Sequence, residues 1–284
     1  MKKIRVMTLI LAVLLLTGCR GTGTDLPETT ALPADKVSTE DSMRPFYGLG
    51  SCQNFSGKLA AVTFYLDDSE SSWDPDAIRA YNGLFKEGYA YLEQAAGQWD
   101  TELTLEHHVF SSREGCSLRY PGAVGSYEQA GESRDVLETV AACLGYADAA
   151  QMDAGLRQEY GVEGILCSVV LNKPGRSYTM VDQDRDAWEL MEYSVFFKEF
   201  EGGIPVQAFV IAHETMHLFG AEDYYNPMGD RPNRYTMALR EYPDDLMLRW
   251  DADLQALTVS DITAYTVGWT YWIPPNILDP QWWS

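Results

Sequence analysis

The clearest sign of metal chemistry in this sequence is a pair of histidines four residues apart, His213 and His217. On an α-helix, residues at i and i+4 share one face, so both imidazoles can bind one metal ion at about 2.0 to 2.1 Å. Glu214 is rotated from His213 by about 100° around the helix. A carboxylate there ligates the same ion poorly but can accept a proton from a metal-bound water. This pattern predicts a catalytic metal site with Glu214 as general base.

A turn after the second histidine is expected to supply the third ligand. Gly220 lies three residues after His217, and glycine readily adopts the left-handed conformation that ends a helix and reverses the chain. The reversal can return Asp223 to the metal, leaving a fourth position for water, as a catalytic zinc requires. Glu222 adjoins Asp223 and is the alternative third ligand.

Residues 213–223 read His-Glu-x-x-His-x-x-Gly-x-x-Asp. This pattern resembles the signature of the metzincin zinc proteases, in the aspartate variant that snapalysin-type bacterial enzymes carry. The metzincin spacing favours Asp223 over Glu222 as third ligand, and the resemblance implies Zn²⁺ as cofactor and polypeptides as substrates. The competing interpretation is a hydrogen-bonded pair of core histidines. It would require the five fixed positions of this motif to arise by chance, which happens in fewer than about one in ten thousand chains of this length and composition.

The resemblance also implies a methionine turn beneath the metal, downstream of the third ligand. Met247 is the expected residue, with Met237 and Met228 as alternatives, although methionine is also a common gap filler in cores. Some metzincins place a tyrosine near the zinc to stabilise the oxyanion. The sequence leaves four candidates open for that role: Tyr224, Tyr225, Tyr235 and Tyr242.

The elements that position this motif are predicted to form an α+β domain. Gly164–Leu171 is a continuous apolar run, typical of a central strand covered on both faces. Asp74-Pro75 opens a helix of about 20 residues with one apolar stripe. Further strands are predicted at Lys58–Leu66, Leu103–Phe110, Tyr178–Val181 and Glu192–Phe200, and further helices at Arg134–Gly145, Ala149–Tyr160 and Thr258–Tyr265.

This order of elements is the one that a metzincin-like zincin domain would show. We therefore expect a mixed, mainly parallel twisted sheet, long helices that include the active-site helix, and a smaller C-terminal subdomain after the zinc motif. The other two histidines, His107 and His108, are adjacent on a predicted strand and face opposite ways. They are therefore expected to pack rather than to share a metal.

The N-terminus predicts export. Residues 1–18 carry three basic residues and then the apolar run Val6–Leu16, typical of a secretory signal and too short to span a membrane stably. Leu16-Thr-Gly-Cys19 has the form of a bacterial lipobox, so Cys19 is the expected lipidation site. Residues 19–45 have the composition of a disordered tether, and residues 46–284 are long enough for one catalytic domain. The protein is thus expected on the extracytoplasmic face of the cell membrane, anchored by lipid.

The acidic composition limits which partners the protein is expected to bind. The formal net charge of −21 argues against nucleic acid and against adhesion to anionic headgroups, and the oligomeric state is left open. Asp182, Asp184 and Asp186 alternate, which raises a structural Ca²⁺ as a secondary expectation. The loop departs from the EF-hand pattern at Ala187 and Tyr193, so a solvated acidic loop is the default.

Four cysteines remain after Cys19, which allows two disulfides in any of three connectivities: Cys52, Cys116, Cys143 and Cys167. Four tryptophans near the C-terminus are expected to pack on the domain, with carbohydrate binding as a lesser alternative: Trp269, Trp272, Trp282 and Trp283.

The function that these features favour is a membrane-anchored zinc endopeptidase. The alternatives are a surface-binding lipoprotein that has lost catalysis, and a zinc hydrolase acting on cell-wall peptides or an ester. The intact Glu214 argues against the pure binder, because binding alone does not need a general base.

Overall fold

The computed structural model describes residues 48, 51–52, 54–113, 117–133, 135–181, 191–225, 231–250 and 253–284. All of them belong to one compact unit, residues 38–284. The predicted signal, Cys19 and the tether lie outside the described residues, as do Met228 and the acidic loop with Asp182, Asp184 and Asp186. Within the described residues, no helix combines the length and apolar character needed to cross a membrane.

The centre of the fold is a mixed, mostly parallel sheet, as predicted. Its strands are β1 (Gly57–Tyr65), β2 (Leu103–Ser111), β3 (Gly164–Pro174), β4 (Tyr178–Met180), β5 (Tyr193–Phe200) and β6 (Ile204–Pro205). They lie in the order β2-β1-β3-β5-β4, and β6 pairs with β5. The pairs β1–β2, β1–β3 and β3–β5 are parallel, whereas β4 and β6 are antiparallel to β5.

Helices cover both faces of this sheet. They are α1 (Pro75–Gln98), α2 (Val136–Leu144), α3 (Ala149–Tyr160), α4 (Ala208–His217), α5 (Pro232–Glu241) and α6 (Asp261–Thr266). One core cluster contains the side of β1 and β3 that faces α1 and α4, and the other contains the side that faces α2 and α3. The apolar run of β3 lies between β1 and β5 and is buried on both faces, which confirms its predicted central position.

Helix α1 forms because its first turn is capped and one stripe is apolar. Asp74 accepts hydrogen bonds from the backbone N–H groups of Asp76 and Ala77, and Pro75 occupies the first turn. Against α4 the helix has Gly88, where a Cβ would come within 3.0 Å of Cβ of Ile211. The missing side chain therefore permits the close approach of the helix that carries the two histidines.

The two remaining histidines lie on opposite faces of β2, as predicted. Nε2 of His107 is 2.9 Å from Oγ1 of Thr63, and the ring packs against residues of α1. Burial lowers the pKa of His107 to about 4, so the ring is neutral near pH 7. His108 instead stacks on Tyr160 of α3, with ring centroids 3.7 Å apart. Each ring packs on its own face of the sheet, so the two rings do not point toward a common site.

The sequence expectations for cysteines and for the C-terminal tail have mixed outcomes. Cys52 and Cys167 are buried free thiols, so two disulfides do not form, and Cys116 lies outside the described residues.

Trp269 and Trp282 are buried, which confirms that part of the tail packs on the domain. Trp272 is 56% exposed. The chain after α4 shares one core cluster with α1 and α4, so it packs continuously with the sheet domain.

Candidate metal centre

Helix α4 is buried along almost its whole length, from Ala208 to Met216. Its last residue is His217, and the chain reverses through Gly220, whose φ is 95°. This left-handed conformation confirms the role predicted for the glycine. The backbone N–H of Gly220 donates to the carbonyl of His217 at 3.1 Å, and that of Ala221 donates to Met216 at 3.2 Å. The turn is therefore tightly held, and it returns Asp223 to the helix.

Three side-chain atoms meet at one point beyond this turn. Nε2 of His213 lies 3.2 Å from Nε2 of His217 and 3.0 Å from Oδ1 of Asp223. The remaining side, from Nε2 of His217 to Oδ1 of Asp223, is 3.3 Å. A tetrahedral zinc with bonds of 2.0 to 2.1 Å separates its ligand atoms by about 3.3 Å. Among the described residues, this is the one group of three histidine, cysteine or acidic side chains that could hold a metal ion.

The hydrogen bonds of the Nδ1 atoms determine which ring nitrogen of each histidine has a free lone pair. Nδ1 of His213 is 3.1 Å from the carbonyl oxygen of Leu246, and Nδ1 of His217 is 2.7 Å from that of Ala221. A carbonyl only accepts, so each Nδ1 carries the hydrogen and donates it. In the neutral rings both Nε2 atoms are then acceptors, directed at the shared point. Oδ1 of Asp223 is buried and has no hydrogen-bond donor among the described residues.

Three acceptors facing one another require a positive charge between them. Burial would lower the pKa of His217, but the carboxylate of Asp223 raises it to about 9. Burial would likewise raise the pKa of Asp223, whereas His217 and His213 hold it well below its ordinary value. Both shifts mean that the site stabilises a cation, and without a metal a proton takes that place.

The alternative third ligand, Glu222, is engaged elsewhere. Its Oε1 lies 2.7 Å from the guanidinium of Arg231, and its Oε2 lies 3.1 Å from that of Arg234. These two ion pairs use both carboxylate oxygens. Asp223, and not Glu222, is therefore the acid that lies with the two histidines.

Glu214 is held by two hydroxyl groups that sequence reasoning did not identify. Thr179 of β4 places Oγ1 2.8 Å from Oε2 of Glu214 and 2.9 Å from its carbonyl oxygen. Ser194, the register partner of Thr179 on β5, has Oγ 3.3 Å from the same carbonyl. Contacts of this kind depend on the pairing of β4 with β5, for which the sequence carries no local signal.

The turn that carries Met247 lies directly against the first histidine. Leu246 supplies the carbonyl that accepts from His213, and the carbonyl of Met247 accepts from the backbone N–H of Tyr224 at 2.9 Å. The buried carboxylate of Asp245 holds the turn by accepting from the N–H of Met247 at 2.7 Å and from the hydroxyl of Thr263. Met237 instead lies within α5.

A cleft of about 610 Å³ is lined by His213, His217, Asp223 and Glu214. Of the four candidate tyrosines, Tyr225 lines this cleft, with its ring centroid 5.9 Å from that of His213. Tyr224 is buried against Trp282, Tyr242 also packs against Trp282, and Tyr235 packs on the core. Burial raises the pKa of Tyr225, so its phenol is protonated near pH 7 and can donate a hydrogen bond.

No protein-family model matches this sequence, and no curated protein matches it. Among solved structures, the chain is similar to metalloproteinase-II from Bacteroides fragilis, with 14% sequence identity and a TM-score of 0.37. The match covers 81% of this chain and 60% of that chain, so this chain spans less than two thirds of the length of that protein. At this level of similarity, the function must be inferred from the geometry of the site.

Proposed function

We propose that this protein is a zinc-dependent endopeptidase of the metzincin type, anchored by lipid outside the cytoplasm. The observation that carries the proposal is the triangle formed by Nε2 of His213, Nε2 of His217 and Oδ1 of Asp223, with sides of 3.0 to 3.3 Å. Two neutral imidazoles and one carboxylate are a donor set that suits Zn²⁺, and three protein ligands leave a position for water. The buried Oδ1 without a donor is satisfied once a cation occupies the centre.

A zinc ion held there would acidify a bound water and polarise the scissile carbonyl of a peptide. Glu214 lines the same cleft and can accept one proton from the attacking water. The same carboxyl group then gives that proton to the leaving amine, so the base is regenerated as the peptide C–N bond breaks. Tyr225 can donate its phenol O–H to the oxygen of the carbonyl under attack.

In this proposal, the turn around Met247 serves as the methionine turn that the metzincin resemblance implies. Its role here follows from the carbonyl of Leu246, which fixes the ring of His213 and selects the tautomer with a free Nε2. The buried network around Asp245 keeps that carbonyl in place. Met247 itself is fully buried in the core next to this carbonyl.

Metal removal tests the proposal directly. We expect the purified chain to bind about one zinc, as one three-ligand site requires, and to cleave an unfolded protein substrate. A chelator should abolish cleavage, and added Zn²⁺ should restore it. Elemental analysis and the appearance of new peptide termini by mass spectrometry measure the two quantities on the same sample.

The alternatives separate in the same experiment. Zinc binding without cleavage of any peptide or protein would favour a binding protein that has lost catalysis. Cleavage restricted to cell-wall peptides would keep the mechanism and change the substrate class. A chain that binds no zinc under metal-replete conditions would contradict the proposal.

The lipid anchor is proposed from the sequence Leu16-Thr-Gly-Cys19. In bacteria that process lipoproteins, we expect the chain to partition with membranes and to incorporate a labelled fatty acid. Cys19→Ser should remove the label and release the domain, because a thiol is needed to carry the acyl group. Cys52→Ser is a matched control for loss of a thiol, and retention of Cys19→Ser in the membrane fraction would contradict the anchor.

A further inference from the structure

The hydroxyl groups of Thr179 and Ser194 face the only carboxylate that the proposed mechanism uses as a base. Oγ1 of Thr179 lies within hydrogen-bond distance of three oxygens: Oε2 of Glu214, the carbonyl oxygen of Glu214, and Oγ of Ser194. A hydroxyl has a single hydrogen to donate, whereas a carboxylate and a carbonyl only accept. The two hydroxyls must therefore divide the two acceptors of Glu214 between them.

The helix end decides how they are divided. Helix α4 ends at His217, and the N–H of Leu218 bonds the carbonyls of Thr215 and Met216, so the carbonyl of Glu214 is among those left without a helical partner. The hydroxyl of Ser194, 3.3 Å away, can donate to it. The hydroxyl of Thr179 is then free to donate to Oε2, at the shorter distance of 2.8 Å and to a charged acceptor.

We infer that Thr179 is a positioning residue for Glu214, an inference that rests on the proposed function. Its hydroxyl occupies Oε2, and among the residues that the structure describes none hydrogen-bonds Oε1. Oε1 is therefore the oxygen left to face the cleft. When water loses a proton, the O–H bond of the water breaks and a bond to Oε1 forms. The same proton then leaves Oε1 for the nitrogen of the departing amine.

The position of Thr179 on β4 explains why a hydroxyl can reach Glu214 from across the site. β4 is a three-residue strand that lines the cleft, and Thr179 pairs in register with Ser194 on β5. The strand thus forms part of the cleft wall and, through the hydroxyl of Thr179, also orients Glu214. Without the bond from Thr179, the carboxylate is free to rotate away from the orientation that presents one oxygen to the cleft.

Three variants of the full chain test this role. Thr179→Val removes the hydroxyl and keeps the β-branched shape that suits a strand, Thr179→Ser keeps the hydroxyl, and Ser194→Ala removes the neighbouring one. We expect Thr179→Val to lower kcat about 10- to 100-fold, as loss of a charge-assisted hydrogen bond implies, with KM and zinc content unchanged. Thr179→Ser should restore most of kcat, and Ser194→Ala should lower it less than Thr179→Val does. In a Glu214→Gln background, Thr179→Val should cause no further loss.

A binding measurement separates this inference from the proposed function. A peptide hydroxamate chelates zinc and hydrogen-bonds the base, so we expect calorimetry to show about 10-fold weaker binding to zinc-loaded Thr179→Val than to Thr179→Ser. That result supports the inference even if no peptide is cleaved, an outcome that overturns only the proposed hydrolysis. Unchanged kcat and hydroxamate affinity in Thr179→Val, or a parallel loss of zinc, would overturn the positioning role. A chain that binds no zinc would overturn both.

Discussion

Glu214→Gln is expected to lower kcat for peptide hydrolysis by about 1,000-fold, within the range that a positioned general base contributes. Glutamine has nearly the same shape as glutamate but cannot take a proton from water near pH 7. Thr179 can still donate to the amide oxygen at this position, so the side chain should stay in place. Steady-state kinetics on a defined peptide, with kcat and KM determined separately, measures the effect.

The same variant should keep its metal, since Glu214 is not one of the three side chains that meet at the proposed metal position. Glu201→Gln, exposed in the turn between β5 and β6, is the control for loss of one negative charge. A Glu214→Gln protein that retains more than a tenth of the parent rate would show that another group acts as the base. A protein that loses zinc instead would show that Glu214 supports the metal.

The grouping of His213, His217 and Asp223 could be predicted from the sequence because it is local. His213 and His217 lie on one helix face by the helical repeat alone, and Gly220 adopts the positive φ that reverses the chain toward Asp223. The partners of these side chains are distant in the sequence. Thr179 lies 35 residues from Glu214, and Leu246 lies 33 residues from His213. Such contacts depend on strand register and turn packing, which no short pattern specifies.

The fold shows the same division between local and distant determinants. Strands β1 to β5 and helix α1 were predicted to within a few residues, because their apolar runs, the cap at Asp74 and the stripe of α1 are local signals. The two-residue strand β6 was not predicted. No helix was predicted at Pro232–Glu241, where α5 forms. It fully buries only Met237 and Ala238, so its apolar signal in the sequence is weak. Its packing comes from the C-terminal segment Pro280–Trp283, which follows about 40 residues later.

Asp223→Asn should weaken zinc binding by more than about 100-fold, since even the outer partners of metal ligands contribute 10- to 100-fold. The neutral amide removes the negative charge that balances the cation while keeping the size of the side chain. In the parent, both histidines act on this carboxylate to hold its pKa well below the ordinary range, so it stays ionised near pH 7. Competition with a chromogenic chelator gives the affinity, and peptide cleavage should fall with zinc occupancy.

Glu222→Gln is the matched control for this prediction, because it changes the neighbouring acid in the same way and removes the same charge. The amide oxygen can still accept from one of the two partners, Arg231 or Arg234, so half of this contact is kept and the fold should persist. We expect zinc affinity in Glu222→Gln to stay close to that of the parent. If Glu222→Gln lost zinc and Asp223→Asn kept it, the third ligand would be Glu222. The chain would then have to rearrange from the geometry in which Oδ1 of Asp223 lies 3.0 Å from Nε2 of His213.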